Sequence, residues 1–145
     1  MSLRSASACL TCLAVVALAV VGCNSGPDLP PVQQVSGVVT IDNKPLSRGT
    51  IQFEPDATQG EKGASAVGTI DENGRYELTT AGVKGAIIGK HVVTVSARAV
   101  PRDETDTLPM SLIPESYSSP ETSGLKQEVK AGEPNIVNID LKSKP

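Results

Sequence analysis

The sequence predicts an all-β fold: a seven-stranded antiparallel β-sandwich that follows a cleaved signal peptide. The first observation is the stretch Gly68 to Leu78, in which Asn73-Gly74 can take the positive φ angles of a tight hairpin turn. After the turn, Tyr76 and Leu78 share one face and their polar neighbours share the other, which is the period of a half-buried strand. Aromatic residues make up only 2% of the chain, so we expect a thin, aliphatic core.

Length and net charge limit the classes of protein that fit. A chain of 145 residues can hold one domain and a targeting segment. Its formal net charge of −3 argues against electrostatic binding of nucleic acid, which needs a clustered basic surface. We therefore expect no nucleic acid partner.

All three cysteines lie near the N-terminus, as Cys9, Cys12 and Cys23. The first two have the spacing of a redox or metal motif, but no second cysteine pair and no histidine cluster completes a site. We interpret them as small apolar residues of a signal sequence. No metal and no cofactor is expected.

Residues 1–22 have the layout of an export signal peptide. Arg4 supplies the positive n-region, the apolar h-region runs from Leu13 to Val21, and the small residue Gly22 ends the segment. Because the apolar run is shorter than the roughly 20 residues of a membrane-spanning helix, we expect the segment to be removed.

The end of this segment, Val20-Val21-Gly22-Cys23, resembles the lipobox of bacterial lipoprotein precursors. The resemblance implies cleavage between Gly22 and Cys23 and lipidation of Cys23, with palmitate among the acyl chains. Several acyl chains anchor stably, since each buried methylene contributes about 0.8 kcal/mol. Asn24 in place of Asp favours the outer membrane over the inner membrane. The alternative is an ordinary secreted protein in which Cys23 is a free thiol.

A tether over residues 23–33 and one domain over residues 34–142 are expected to follow. The tether is rich in Pro and lacks periodicity. The domain contains segments with strand periodicity and β-branched residues, separated by turn residues, and a Gly-rich stretch at 80–89 that we expect to cross irregularly between sheets. The expected strands are 35–41, 50–54, 64–70, 75–79, 91–98, 125–130 and 136–141, with Ile51, Phe53, Val93, Val95, Val137, Ile139 and Leu141 facing inward.

Several of these segments resemble the carboxypeptidase regulatory-like, or transthyretin-like, domain. More closely, the chain is similar to small bacterial lipoproteins that consist of a lipobox, a short tether and one such domain. The resemblance covers residues 34–142 and implies a transthyretin-like or immunoglobulin-like sandwich. It implies no biochemical activity. The segments that carry it are Val35-Ser36-Gly37-Val38-Val39-Thr40, Lys44-Pro45-Leu46, Ile51-Gln52-Phe53-Glu54-Pro55, Asp71-Glu72-Asn73-Gly74-Arg75-Tyr76 and Gly89-Lys90-His91.

The sequence offers few residues for catalysis or metal binding. His91 is the only histidine, so neither a zinc peptidase site nor a Ser-His-Asp triad can be assembled. We expect His91 to be a partly packed residue at a strand entry and the protein not to be an enzyme. The run Asp71 to Gly74 is similar to part of a calcium loop, but the twelfth position is Gly82 and not Glu, and a hairpin turn explains the same residues.

The long connection from Ala99 to Gly124 is the best candidate for a functional segment. It is longer than the usual connection between strands and contains four prolines and several carboxylates. Three interpretations are open: it covers a sheet edge, it is a partner-binding loop that uses Asp103, Glu104 and Tyr117, or it is disordered.

The functional expectation is therefore a membrane-anchored envelope lipoprotein whose sandwich is a non-catalytic interaction or structural module. Its expected partners are the membrane, through the lipid anchor, and an envelope protein or a glycan. The alternatives are a carbohydrate-binding surface module and an accessory subunit of an envelope hydrolase.

Overall fold

The computed structural model describes residues 29–101 and 110–144, which form β-strands joined by turns. This part of the chain contains no α-helix and thirteen strands, where the sequence analysis expected seven. The strands are β1 Val32–Gln33, β2 Val35–Ile41, β3 Lys44–Pro45, β4 Gly49–Pro55, β5 Ala66–Ile70, β6 Arg75–Glu77, β7 Thr79–Thr80, β8 Val83–Lys84, β9 Ala86–Ile87, β10 Gly89–Ser96, β11 Leu125–Val129, β12 Asn135–Ile136 and β13 Ile139–Leu141. Two short 3-10 helices, η1 Ala57–Gln59 and η2 Glu115–Ser118, lie in the connections.

The difference in strand number comes from short pairings and interrupted strands. The expected strand 75–79 is divided into β6 and β7, and the expected strand 136–141 into β12 and β13. Strands β1, β3, β8 and β9 have two residues each, too few to show a period of two. Residues 32 and 33, expected in the tether, form β1, and residues 80–89, expected to be irregular, contain β8 and β9.

Two main sheets face a common core. The larger sheet is antiparallel, in the order β11-β10-β4-β5-β7-β8. The second sheet is built on β2, which pairs with β3 and β6 antiparallel and with β12 and β13 parallel. The expectation of a wholly antiparallel arrangement is therefore wrong for β12 and β13. An alternating strand has the same pattern whichever way its neighbour runs, so strand direction was not readable from these residues.

The turn at Asp71 to Gly74 reverses the chain, as the sequence predicts, but it does not close a hairpin ladder. The backbone amide of Gly74 donates to the carbonyl of Asp71 at 2.9 Å, and the Asp71 carboxylate accepts from the amides of Asn73 and Arg75, each at 2.8 Å. Gly74 has φ 78°, whereas Asn73 lacks the positive φ expected for it. Since β6 pairs with β2 and not with β5, the turn carries the chain from one sheet to the other.

The tight turn with two positive φ angles is instead formed by Asp42 and Asn43, with φ 48° and 65°. These two residues connect β2 to β3, whose register pairs Ile41 with Lys44. Two central residues in the left-handed region define the hairpin turn that matches the twist of its strands. Asx residues at both positions tolerate this backbone conformation well.

The core consists of aliphatic side chains from both sheets, with Phe53 and Tyr76 as its buried aromatic residues. The inward positions predicted from the alternating pattern are confirmed, since the predicted side chains on β4, β10 and the last strands are all buried. These are Ile51, Phe53, Val93, Val95, Val137, Ile139 and Leu141. The described residues therefore form an all-β domain compatible with a β-sandwich.

Candidate functional site

His91 is buried within the fold. It is the third residue of β10 and is 1% exposed, which corrects the expectation of a partly packed strand-entry residue. Its Nε2 lies 2.7 Å from the Ile87 carbonyl, its Nδ1 has no partner, and its ring packs at 5.8 Å from Phe53. A histidine enclosed in this way contributes its packing and one hydrogen bond to the core.

The outer face of the larger sheet carries a cleft of about 390 Å³ next to a charged pair. The buried carboxylate of Asp56 accepts from the Lys126 ammonium at 3.0 Å and from the backbone amide of Thr58 at 3.0 Å. The hydrogen bonds from the Thr58 hydroxyl and then from Lys126 lower the pKa of Asp56. Because Asp56 caps η1 and ties β11 to the end of β4, the pair has a structural role.

A second cleft, of about 570 Å³, lies over the sheet built on β2. Its lining includes Arg75, Asp71 and Asn138, together with Ile136, which is 77% exposed. Asp71 is held by the turn that it caps, and the Asn138 amide oxygen accepts from the backbone amide of Val38 at 3.0 Å. Two of the polar groups therefore already have partners within the fold.

The chain runs on from the end of β10, and the described part of the long connection pairs with this continuation and covers its edge. Arg98 and Ser111 form a β-bridge, the Ala99 amide donates to the Met110 carbonyl, and the Leu112 amide donates to the Ala97 carbonyl, the last two at 2.9 Å. Ile113 is buried in the core. Of the three interpretations of this connection, edge cover is the one that these contacts support for residues 110–113.

Three apolar side chains on these paired segments are exposed. We call residues 97–101 and 110–113 the loop root. In it Val100, Met110 and Leu112 are 58%, 73% and 40% exposed. The sequence did not predict the exposure of these three side chains. The available signal was the presence of apolar residues at both ends of a charged segment.

Tyr117, expected to contact a partner, is partly buried and packs against the core. Its hydroxyl accepts a 3.2 Å hydrogen bond from the backbone amide of Lys142, just after β13. The neighbouring Ser118 hydroxyl donates to the Val95 carbonyl at 3.3 Å. Tyr117 thus joins η2 to the C-terminal strand, and its contact with a partner stays a prediction.

The other predicted site residues, Gly22, Cys23, Asp103 and Glu104, lie outside the described residues. Within the described ranges, no helix is long or apolar enough to cross a membrane. The same ranges contain no group of three or more His, Cys, Asp or Glu side chains that could hold a metal ion.

Comparisons with known proteins provide little information about this chain. No family model and no curated protein matches it. A solved structure that it matches is a 9R-lipoxygenase from Cyanothece PCC8801, with a TM-score of 0.40 and 17% sequence identity. The match covers 77% of this chain but only 16% of the lipoxygenase, and a similarity this low supports no conclusion about fold or function.

Proposed function

We propose that this protein is a lipoprotein of the cell envelope, in which a transthyretin-like β-sandwich is held at a membrane by lipidated Cys23. The domain is a non-catalytic interaction module, and its contact surface is the loop root together with the segment that carries Asp103 and Glu104. The outer membrane is the proposed location, on the basis of Asn24.

The anchor is supported by the N-terminal sequence and by the start of the folded domain. The signal-like segment ends at Gly22, and Cys23 is the last cysteine of the chain. Eight residues separate Cys23 from Val32, the first residue of β1, so a fully extended tether spans at most about 30 Å. A chain anchored at Cys23 keeps the domain within this distance of the lipid surface.

The observation that carries the interaction role is the exposure of Val100, Met110 and Leu112 at the loop root. Exposed apolar side chains bordered by charged residues are typical of protein contact surfaces. The connecting segment contributes Asp103 and Glu104, so the surface is suited to a protein partner with apolar and basic groups. Loops on a rigid sheet commonly carry such functions.

A glycan-binding role is less well supported. Sugar sites commonly use exposed aromatic rings, and the chain contains one Phe and two Tyr. Phe53 and Tyr76 are buried in the core, and the partly buried Tyr117 uses its hydroxyl within the fold. The enclosed ring of His91 is in keeping with a non-catalytic role.

Lipid attachment is tested by metabolic labelling of expressing cells with an alkyne-bearing palmitate. The parent chain should incorporate label and partition into the detergent phase, and Cys23→Ala should do neither. Cys12→Ala is the matched control and should behave as the parent. Equal labelling of the parent and Cys23→Ala would reject the anchor.

The contact surface is tested by placing a photo-reactive amino acid at Met110 and crosslinking in intact cells. The matched control position is Lys84, which is exposed on the edge strand β8. A protein adduct found at position 110 and absent at position 84 would support the proposal. The same adducts at both positions, or glycan adducts at 110, would contradict a protein contact at the loop root.

A further inference from the structure

Among the described residues, strand β11 is an edge strand, and its outward backbone groups pair with no other strand. In β10, the carbonyl of Lys90 accepts a hydrogen bond from the amide of Asp56 and therefore points toward β4. The carbonyls of Val95 and Ala97 accept from Ser118 and Leu112, which lie on the opposite side of β10. Alternation along β10 therefore directs its odd-numbered residues toward β11. In the register that pairs His91 with Gln127, the amides and carbonyls of Lys126 and Glu128 point away from the sheet.

The free edge has defined ends. In the described part of the chain, β11 pairs with β10 alone. At its C-terminal end, the side chain of Asn135 accepts a hydrogen bond from the Lys130 amide at 2.9 Å and donates one to the Lys130 carbonyl at 3.0 Å. An added strand could therefore pair along Leu125 to Val129 and not much further.

The sequence of β11, Leu125-Lys126-Gln127-Glu128-Val129, is complementary to itself when two copies run antiparallel. With Gln127 facing Gln127 of the second copy, each Lys126 lies opposite a Glu128 and each Leu125 opposite a Val129. The outward amides and carbonyls of Lys126 and Glu128 then face each other as hydrogen-bonded pairs. Oppositely charged residues that face each other across two strands stabilise the pairing.

We propose that two copies of this chain associate through β11, edge to edge around Gln127, to form a continuous twelve-stranded sheet from the two six-stranded sheets. A one-residue slip would face the outward backbone groups of one copy with residues whose backbone groups point inward, so it forms no ladder. The registers slipped by two residues place Lys126 opposite Lys126 or Glu128 opposite Glu128, and like charges in these positions destabilise the pair. The charges therefore select one register. The ion pair of Lys126 with Asp56 is kept in this arrangement. Asp56 lies toward β4 of the same copy, whereas the Glu128 of the second copy approaches Lys126 from the opposite side.

The other edge of this sheet does not offer the same contact, because β8 has only two residues. A five-residue edge buries little surface, so the association is weak when both copies diffuse freely. Confinement of both copies to one membrane would raise their effective concentration and favour the pair. The pairing itself depends on β11 and on neither the anchor nor the loop root, so it is testable separately from the proposed function.

Disulfide crosslinking of the full chain in intact cells tests the pairing. Two Gln127 residues at the symmetry axis form a non-hydrogen-bonded pair with a Cα separation of about 4.5 Å, which suits a disulfide. Gln127→Cys should give a crosslinked dimer on mild oxidation, above the level of the parent chain and of Lys84→Cys on β8. No excess over Lys84→Cys would overturn the proposal.

The charge pattern provides the second readout. In the Gln127→Cys chain, Glu128→Lys places Lys opposite Lys126 at two positions and should lower the yield of dimer at least about fivefold. Addition of Lys126→Gln to Glu128→Lys removes the repulsion across the pair without placing a second carboxylate beside Asp56, and it should restore most of the yield. Glu54→Lys on the outer face of β4 should leave the yield unchanged. A yield that does not respond to Glu128→Lys, or that Lys126→Gln does not restore in a folded chain, would show random collision of the two copies and would overturn register-specific pairing.

Discussion

The hydroxyl of Tyr76 donates a 2.8 Å hydrogen bond to the backbone carbonyl of Val137, across the sheet built on β2. This carbonyl points over Gly37, since a Cβ at position 37 would lie 1.8 Å from the oxygen. The Val137 carbonyl is thus turned toward the core, and the side chain of Asn138 supplies the acceptor for the Val38 amide. At the break between β12 and β13, where three strands meet, the Val137 carbonyl and the Val38 amide therefore both have hydrogen-bond partners.

Removal of the Tyr76 hydroxyl should destabilise the fold. Tyr76→Phe leaves the Val137 carbonyl without its buried donor, and we expect the free energy of unfolding to fall by about 1–2 kcal/mol. Urea unfolding followed by circular dichroism measures the loss. Tyr117→Phe is the matched control and should cost less, because the Tyr117 hydroxyl lies at the surface. Equal losses of stability in the two variants would contradict a stabilising role of the buried hydrogen bond between Tyr76 and Val137.

This hydroxyl also predicts a pH dependence. Burial raises the pKa of Tyr76 above its ordinary value, so the folded state favours the neutral phenol. The resulting stabilisation is present below the unfolded pKa, about 10, and is lost as the pH rises above it. The difference in unfolding free energy between the parent and Tyr76→Phe should therefore narrow above about pH 10, and a difference that stays constant would argue against a buried phenol.

Gly37 should tolerate no side chain. Gly37→Ala drives a Cβ into the Val137 carbonyl, so the strands must separate, and we expect a loss of at least about 3 kcal/mol or failure to fold. Gly60 is the comparison, because it has φ 80° but a Cβ at this position would meet no atom within 4 Å. In Gly60→Ala, backbone strain alone should lower the free energy of unfolding by about 1 kcal/mol. Thermal unfolding of the two variants distinguishes a steric clash from lost backbone freedom.

Asp56 should stabilise the fold at neutral pH and not in acid. Since its folded-state pKa lies below the ordinary value of 3.8, its stabilisation is present above the unfolded pKa and is lost as the pH falls through the folded value. Asp56→Asn keeps an acceptor for Thr58 but loses the charge opposite Lys126. Its free energy of unfolding should be lower than that of the parent near pH 7, and the difference should begin to shrink as the pH falls below about 4.

Glu54→Gln on the exposed face of β4 is the control for removal of one carboxylate. The deficit of Asp56→Asn relative to this control should shrink in acid. If the deficit does not shrink at all as the pH is lowered from 7 through the acid range in which the protein stays folded, the Asp56 effect comes from packing and not from ionisation.

Ile113 should hold the edge cover in place. Its side chain is 4% exposed, and Ile113→Ala should cost about 2–4 kcal/mol and increase proteolytic cleavage between residues 99 and 124. Leu112→Ala, one residue earlier and 40% exposed, should change stability by no more than about 1 kcal/mol. Similar cleavage of both variants would show that the segment is not packed through Ile113.

The alternating pattern correctly predicted which side chains are buried, because burial on one face depends only on a period of two. It did not predict which strands pair. Tyr76 and Leu78 alternate as expected, yet the partner of β6 is β2, more than 30 residues away in sequence. Pairing across such distances depends on the whole set of strands, which no local pattern contains.

The candidate surface was predicted in part. The sequence indicated the long connection as a candidate functional segment, and the register of Arg98 with Ser111 was needed to show that its two ends pair with each other. The sequence predicted a partly packed His91, whereas its complete burial depends on the position of β9, whose Ile87 carbonyl it contacts. Two-residue strands of this kind carry no sequence signal.

The parallel pairing of β2 with β13 joins residues 100 positions apart, as in Val39 with Ile139. Contacts between residues so distant in sequence form late and slowly, since a long loop must close first. The second sheet cannot be completed until Leu141 has left the ribosome or the translocation channel. A chain that still lacks its last residues can therefore form the larger sheet, whose last strand ends at Val129, but not the second.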